Sequence, residues 1–278
     1  MTTLEKTLVH YGLFILWIYI VGLTFPSNFS EDFTKTVFYS GFIFFLLFRL
    51  VTVKEWKLPK MNWPALGIWL VSLSLILPLA LRGDHILGVD AHREFYAFMQ
   101  SDLNNEVYTW EGGLVASCLS ITILPTVFQD VTSIEHEALF KILYPLLFSI
   151  FPIIVYLIAK RFVPQGYAFL AGIAVTLQPM FLWTTANART SIGILFIALI
   201  LMVIFSKIED RYKFIYIVLL GTGCTLSHYV SVVVLITLLI SLILFKEFRW
   251  IVIGSLPLVI LITYLWQVHS GLVNHWSF

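Results

Sequence analysis

The stretch RGDHILGVDAHREFYAFMQSDLNNEVYTW, residues 82–110, is a polar island in a chain that is otherwise almost continuously apolar. Asp84, Asp90, Glu94, Asp102 and Glu106 lie inside it and Glu111 at its edge, so much of the ionisable chemistry is gathered in one place. A charge at the centre of a bilayer costs about 2.5–3.5 kcal/mol even on lenient insertion scales. The stretch therefore belongs in water or in a wet cavity, and the apolar segments on either side are the scaffold that presents it.

Across the whole chain, 59% of the 278 residues are hydrophobic and only 12% charged, with a mean hydropathy of +0.92. Soluble domains average about 45–50% apolar and about 25% charged. The apolar residues come in blocks of about the length that a helix needs to cross a hydrocarbon core of about 30 Å. No short alternating segments of the kind that build a membrane β-barrel are present. The pattern predicts an all-α polytopic membrane protein of about nine spans, near residues 11–25, 36–53, 64–81, 142–159, 167–183, 192–205, 214–226, 230–245 and 250–266. Two of the expected spans fall in residues 1–62 and seven in residues 63–278, with a long loop over 82–141.

Within that loop, residues 112–141 are apolar but broken by Gly112, Gly113 and Pro125, which predicts re-entrant or interfacial helices rather than a span. Lys and Arg counts set the orientation, because cytoplasmic loops carry the excess. Lys54, Lys57 and Lys60, then Lys160 and Arg161, then Lys207, Arg211 and Lys213, then Lys246 and Arg249 all fall on one side. This predicts a multi-pass protein of the cell membrane with its N-terminus cytoplasmic and its C-terminus outside. The acidic stretch, the loop TTANART (184–190), the triplet Ser227-His228-Tyr229 and the tail then share the outer face.

A net charge of +1 gives no basic surface for nucleic acid. Cys118 and Cys224 lack the spacing of a zinc or redox pair and read as small buried apolar residues. No GxSxG, HExxH or Walker loop occurs, which leaves esterase, zincin and P-loop ATPase readings without support.

Asp90 and Glu94 are four residues apart, so a helix returns both carboxylates to one face, the arrangement used for general-base work and for holding a divalent cation. Arg93 beside them either neutralises one acid at a solvated surface or contacts substrate. Arg189 stands at the start of an apolar segment, where a phosphate would also meet the positive end of a helix; the alternative is an arginine snorkelling to headgroups. His228 and Tyr229 either hydrogen-bond a phosphate or sugar, or cap a helix at the interface.

GVDAHREFYAF (88–98), LSITILPTVF (119–128), FKILYPLLFSIFPIIVYLIAKRF (140–162), NARTSIGILFIAL (187–199) and SHYVS (227–231) occur in an order that resembles an archaeal family of polytopic membrane proteins. That family is similar to the GT-C class of polyprenyl-phosphate-dependent glycosyltransferases. The resemblance implies a GT-C-like membrane core and an inverting transfer of sugar from a polyprenyl-phosphate donor in the bilayer to an acceptor it does not define. It makes residues 63–278 the GT-C-like core, with the helices of residues 1–62 as additions. It implies Asp90 as the catalytic carboxylate of the first outer loop with Glu94 as the second. On that reading Asp90 is the general base, and Arg189, assisted by His228 and Tyr229, is expected at the departing lipid phosphate. A divalent cation beside the acids is compatible with the class. The family places an acid about five residues after the loop arginine, where this chain has Ile194. The alternatives are a non-catalytic lipid-binding or assembly subunit on the same scaffold, which would tolerate loss of Asp90, and a transporter of a polar lipid, which needs broken or polar helices at mid-membrane.

Overall fold

The computed structural model describes residues 63–104, 115 and 117–270, and all regular structure among them is helical. The elements are α1 (Trp63–Ala80), α2 (Val89–Asn104), α3 (Ile123–Thr132), α4 (His136–Phe148), α5 (Phe151–Ala159), α6 (Gln165–Thr176), α7 (Pro179–Leu182), α8 (Ala188–Ile204), α9 (Asp210–Ser227), α10 (Tyr229–Leu242) and α11 (Arg249–His269), with a 3-10 turn at Trp183–Ala186. The two helices expected within residues 1–62 lie outside the described residues.

Three helical stretches are long and apolar enough to cross a membrane: Trp63–Ala80, His136–Ala159 and Arg249–Val268. Gln165–Thr176, Ala188–Ile204 and Tyr229–Leu242 are shorter apolar helices. The surface also fits lipid. Leu170, Leu219, Val233, Leu244 and Trp250 are exposed, whereas Ser72, Thr176, Thr225, Ser255 and Thr263 are buried. In a bilayer each of those hydroxyls must be satisfied inside the protein. Ser72 donates to the Ile68 carbonyl, Ser255 to Ile251 and Thr263 to Val259, each within its own helix, and Thr225 pairs with Thr263 at 3.0 Å across α9 and α11.

Prolines account for the main departures from the expected spans. The segment near 142–159 begins earlier, at His136, and consists of α4 and α5 meeting at Ser149 and Ile150, where Pro145 and Pro152 remove backbone donors. Ser149 is held there by the Trp69 indole, whose Nε1 donates to its Oγ at 2.9 Å. The segment near 167–183 is not one helix: α6 stops at Thr176, because Pro179 forces the residue before it, Gln178, into extended backbone. In the loop over 82–141, α3 is one of the helices expected between 112 and 141; residues 105–114 and 116, where a second would begin, lie outside the described residues.

α2 is fastened across the bundle at both ends. The Lys141 ammonium donates to the Gly83 and Asp84 carbonyls at 2.9 and 2.7 Å ahead of it, and His136 Nε2 lies 2.6 Å from Asp102 Oδ2 near its C-terminus. Between these anchors Ala91, Ala97 and Phe98 pack against Phe140, Tyr144 and Ile192. Gly88, at φ +104°, precedes the helix, and a Cβ there would sit 2.6 Å from Ala186 Cβ. Its left-handed backbone and missing side chain bring the start of α2 onto the turn that leads into α8.

α8, α9, α10 and α11 share a second core around Ile200, Ile217, Leu235 and Val252. At the start of α8, Gly193 lets Ser231 of α10 approach so closely that a Cβ would lie 2.5 Å from its Oγ, the close helix contact that small residues permit in membranes. The N-terminal ends of α2, α8 and α10 thereby meet at one end of the bundle.

Candidate functional site

Charge collects at that meeting point. α8 opens at Ala188 after an asparagine, and a helix N-terminus leaves its first N–H groups unpaired. Glu94, one turn along α2 from Asp90, fills this vacancy: its Oε2 accepts the Ala188 N–H at 2.8 Å. Its Oε1 lies 3.1 Å from Arg189 Nε, and Asp90 Oδ1 lies 4.0 Å from Arg189 Nη2. Both acids therefore face one guanidinium. Asp90 is half exposed, at 47% of its side chain, while Glu94 is fully buried.

The Glu94–Arg189 pair is close but poorly aligned. Neither Glu94 Oε1 nor Arg189 Nε completes a hydrogen bond in spite of their 3.1 Å separation, and Arg189 Nη1 is buried with no acceptor among the described residues. A buried donor left unpaired costs about 1–3 kcal/mol, more when charged. The residue is 8% exposed, so water does not relieve it freely. Burial pushes the Glu94 carboxyl up to about 7, although Arg189 and the N–H groups of Ala188 and Arg189 pull it down.

His228 and Tyr229 complete the wall. His228 is the single residue joining α9 and α10, in extended backbone at φ −160°. Its Nδ1 lies 2.8 Å from Ser231 Oγ. Burial, reinforced by Arg189, lowers it to about 4, so the ring is neutral at pH 7. The Tyr229 ring lies 5.8 Å from the Arg189 guanidinium carbon, within cation–π range. Behind them the segment around Cys118 is tied to the end of α9, with the Leu119 N–H donating to the Leu226 carbonyl at 2.7 Å and Ser120 Oγ to that of Ser227 at 3.2 Å.

Five of the six residues singled out from the sequence thus come together: Asp90, Glu94, Arg189, His228 and Tyr229. Arg93 stands apart and exposed on α2, and the acids pair with Arg189 instead. The acids do not make a cation cradle. Both Glu94 oxygens face nitrogen atoms, a guanidinium stands between the carboxylates, and no three His, Cys, Asp or Glu side chains converge among the described residues. Sequence reading did not single out the Asp102–His136 and Lys141 fastenings that hold α2 over the site; no spacing signals a pair 34 residues apart.

A groove of about 200 Å³ lies beside the first turns of α8, lined by Phe148, Phe151, Phe181 and Trp183 with Asn187 and Thr190. Helical periodicity puts it on the other face of α8 from Arg189.

The described residues thus form a helical bundle with a half-exposed acid and a buried, under-satisfied arginine at one end. Residues 117–270, more than half of the chain, match the dolichyl-phosphate-mannose-protein mannosyltransferase family, and the chain belongs to that family of membrane glycosyltransferases. No curated protein and no solved structure matches it. The matched region contains Arg189, His228 and Tyr229; Asp90 and Glu94 precede it.

Proposed function

We propose that the chain is an inverting glycosyltransferase of the GT-C kind, taking a sugar from a polyprenyl-phosphate carrier at the outer membrane face. The observation that carries this reading is Arg189: a guanidinium nine-tenths buried at a helix N-terminus, with Nη1 lacking an acceptor and an acid within reach on the solvent side. Phosphate oxygens suit both the planar donors of arginine and the helix end. In the reaction, an acceptor hydroxyl oxygen forms a bond to the anomeric carbon from the face opposite the phosphate. The bond from that carbon to the phosphate oxygen breaks, and its electron pair stays on the lipid phosphate. Asp90 takes the hydroxyl proton as general base, Glu94 orients Arg189, and Arg189 with Tyr229 and neutral His228 meets the charge that grows on the leaving group.

Dolichyl-phosphate mannose is the first donor to try, following the family's description. Purified protein in lipid, supplied with that donor and an extract of membrane acceptors, is expected to release free dolichyl phosphate in proportion to labelled product. Failure to turn over any polyprenyl-phosphate sugar overturns the reading.

The proposal includes nine spans with the N-terminus in the cytoplasm. Leu103 and Glu209 are both exposed, on opposite sides in this orientation. A cysteine replacing Leu103 is expected to react with an impermeant thiol reagent added outside intact cells, and one replacing Glu209 is not. The reverse labelling pattern inverts the orientation and removes the site from the outer face.

A further inference from the structure

We propose that Glu94 is the resident anion of the phosphate position: in the donor-free protein its carboxylate occupies the N-terminus of α8 and the Arg189 guanidinium, and the donor phosphate takes both over from it. The inference rests on the reading that a lipid phosphate binds at Arg189, and it adds what holds that place beforehand and how the place is vacated.

Three observations lead to it. The helix end and the guanidinium, the two features expected to receive a phosphate, both face the same side chain, with Glu94 oxygens 2.8 Å from the Ala188 nitrogen and 3.1 Å from Arg189 Nε. The fit is incomplete, because Nη1 has no acceptor and Nε does not complete its bond. A carboxylate offers two oxygens on a planar centre; the donor's phosphodiester offers two on a tetrahedral centre, in the geometry that arginine binds with two parallel bonds, and the lipid phosphate monoester released from it offers three.

Charge then decides between addition and exchange. The groups near Glu94 are Asp90 on its own helix, Arg189 from α8, Cys118 from the segment before α3 and Tyr144 from α4, and His228 at the α9–α10 junction adjoins Arg189 and Asp90. With His228 neutral, Arg189 is the one cation among them and already faces two carboxylates. With Glu94 ionised, a phosphate added to an unchanged site would put a third anion on one buried cation, where like charges a few ångströms apart repel strongly; with Glu94 protonated, its carboxyl no longer answers the guanidinium charge, so in either state the anion at Arg189 is replaced rather than joined. Loss of Glu94 from the guanidinium removes that conflict. Glu94 is then a positioning residue that keeps Arg189 extended and the helix end covered until donor arrives.

The test is direct binding of farnesyl phosphate, a short soluble isoprenoid phosphate that carries the monoester of the released lipid phosphate and competes for the same position as the donor's phosphate, with farnesol as control. Glu94→Gln keeps an oxygen for the Ala188 N–H but removes the competing charge, and is expected to bind farnesyl phosphate at least several-fold more tightly than wild type, with no change for farnesol. A residue that only braces Arg189 predicts the opposite sign. Equal or weaker farnesyl phosphate binding by folded Glu94→Gln overturns the inference. Should that variant not fold, Glu94→Asp withdraws the carboxylate by one methylene and is likewise expected to bind more tightly, with equal or weaker binding again overturning it. The double variant Glu94→Gln, Arg189→Ala removes both charges and is expected to lose the gain. If it binds as tightly as Glu94→Gln alone, the phosphate is held elsewhere, and the reading beneath the inference fails rather than the exchange.

Discussion

Asp90→Asn is expected to lower sugar transfer by about 100-fold or more, the scale on which a general base contributes, while donor binding is not weakened and thermal stability in detergent stays close to wild type. Asn has the size of Asp and can still accept a hydrogen bond, but it takes up no proton. The position favours a clean result. Asp90 is half exposed and sits 4.0 Å from Arg189, too far for a direct hydrogen bond, so little of the fold depends on its charge. A lipid-binding subunit on the same scaffold has no use for a base and would be indifferent to the change. Initial rates at saturating donor, compared between wild type and Asp90→Asn, separate the two, and unchanged turnover in the folded variant retires the mechanism.

Arg189→Lys is the second large effect expected: at least a several-fold weaker hold on a polyprenyl-phosphate sugar and a greater loss in turnover, since charge on the leaving group rises in the transition state. Lysine keeps the charge but lacks the planar fork, and at a two-point phosphate contact this replacement is not conservative. An arginine that merely reached for headgroups would be replaced by lysine without loss. The structure changes the choice of variant. From the sequence alone, Arg189→Ala is the plain deletion, but Glu94 is fully buried against Arg189, and removing one partner of a buried pair typically costs about 3–5 kcal/mol. Arg189→Ala alone would confuse lost binding with lost stability; Arg189→Lys, with the melting temperature measured alongside, does not. Equal affinity and turnover in Arg189→Lys would remove the bidentate phosphate contact from the mechanism.

What the sequence makes legible here follows from how costly charge is in an apolar chain. Asp90, Glu94 and Arg189 stand out because each needs a partner or water, and the structure brings them together. The helical character of the membrane segments is legible for the same reason of solvation, since backbone polar groups must be satisfied within the segment. Partnership is less legible. Arg93, adjacent in sequence to Glu94, is the nearest candidate neutraliser, yet the partner is Arg189, placed by helix packing that no local spacing encodes. A four-residue step puts Asp90 and Glu94 on one face but does not say that the first is half exposed while the second is fully buried. That difference comes from the start of α8 lying over Glu94, brought close to α2 by Gly88 and Ala186. The break after Thr176 was written in Pro179, but an apolar run on both sides masks it when length alone is counted.

His228 ends α9 and begins α10, so these helices are joined by one residue, whereas at their other ends residues 205–209 and 243–248 separate them from α8 and α11. The bundle is in this sense jointed tightly at one end and loosely at the other. An inserted residue near 207 or 246 has spare chain on either side to take up the slack. One inserted at 228 has none, and would rotate α10 by about 100°, carrying Tyr229 away from Arg189 and Ser231 away from Gly193 together. The end with the acids and the arginine is therefore the fixed datum of the molecule, and tolerance to changes in length is confined to the opposite end, where Phe162, Phe205 and Phe248 stack edge to face.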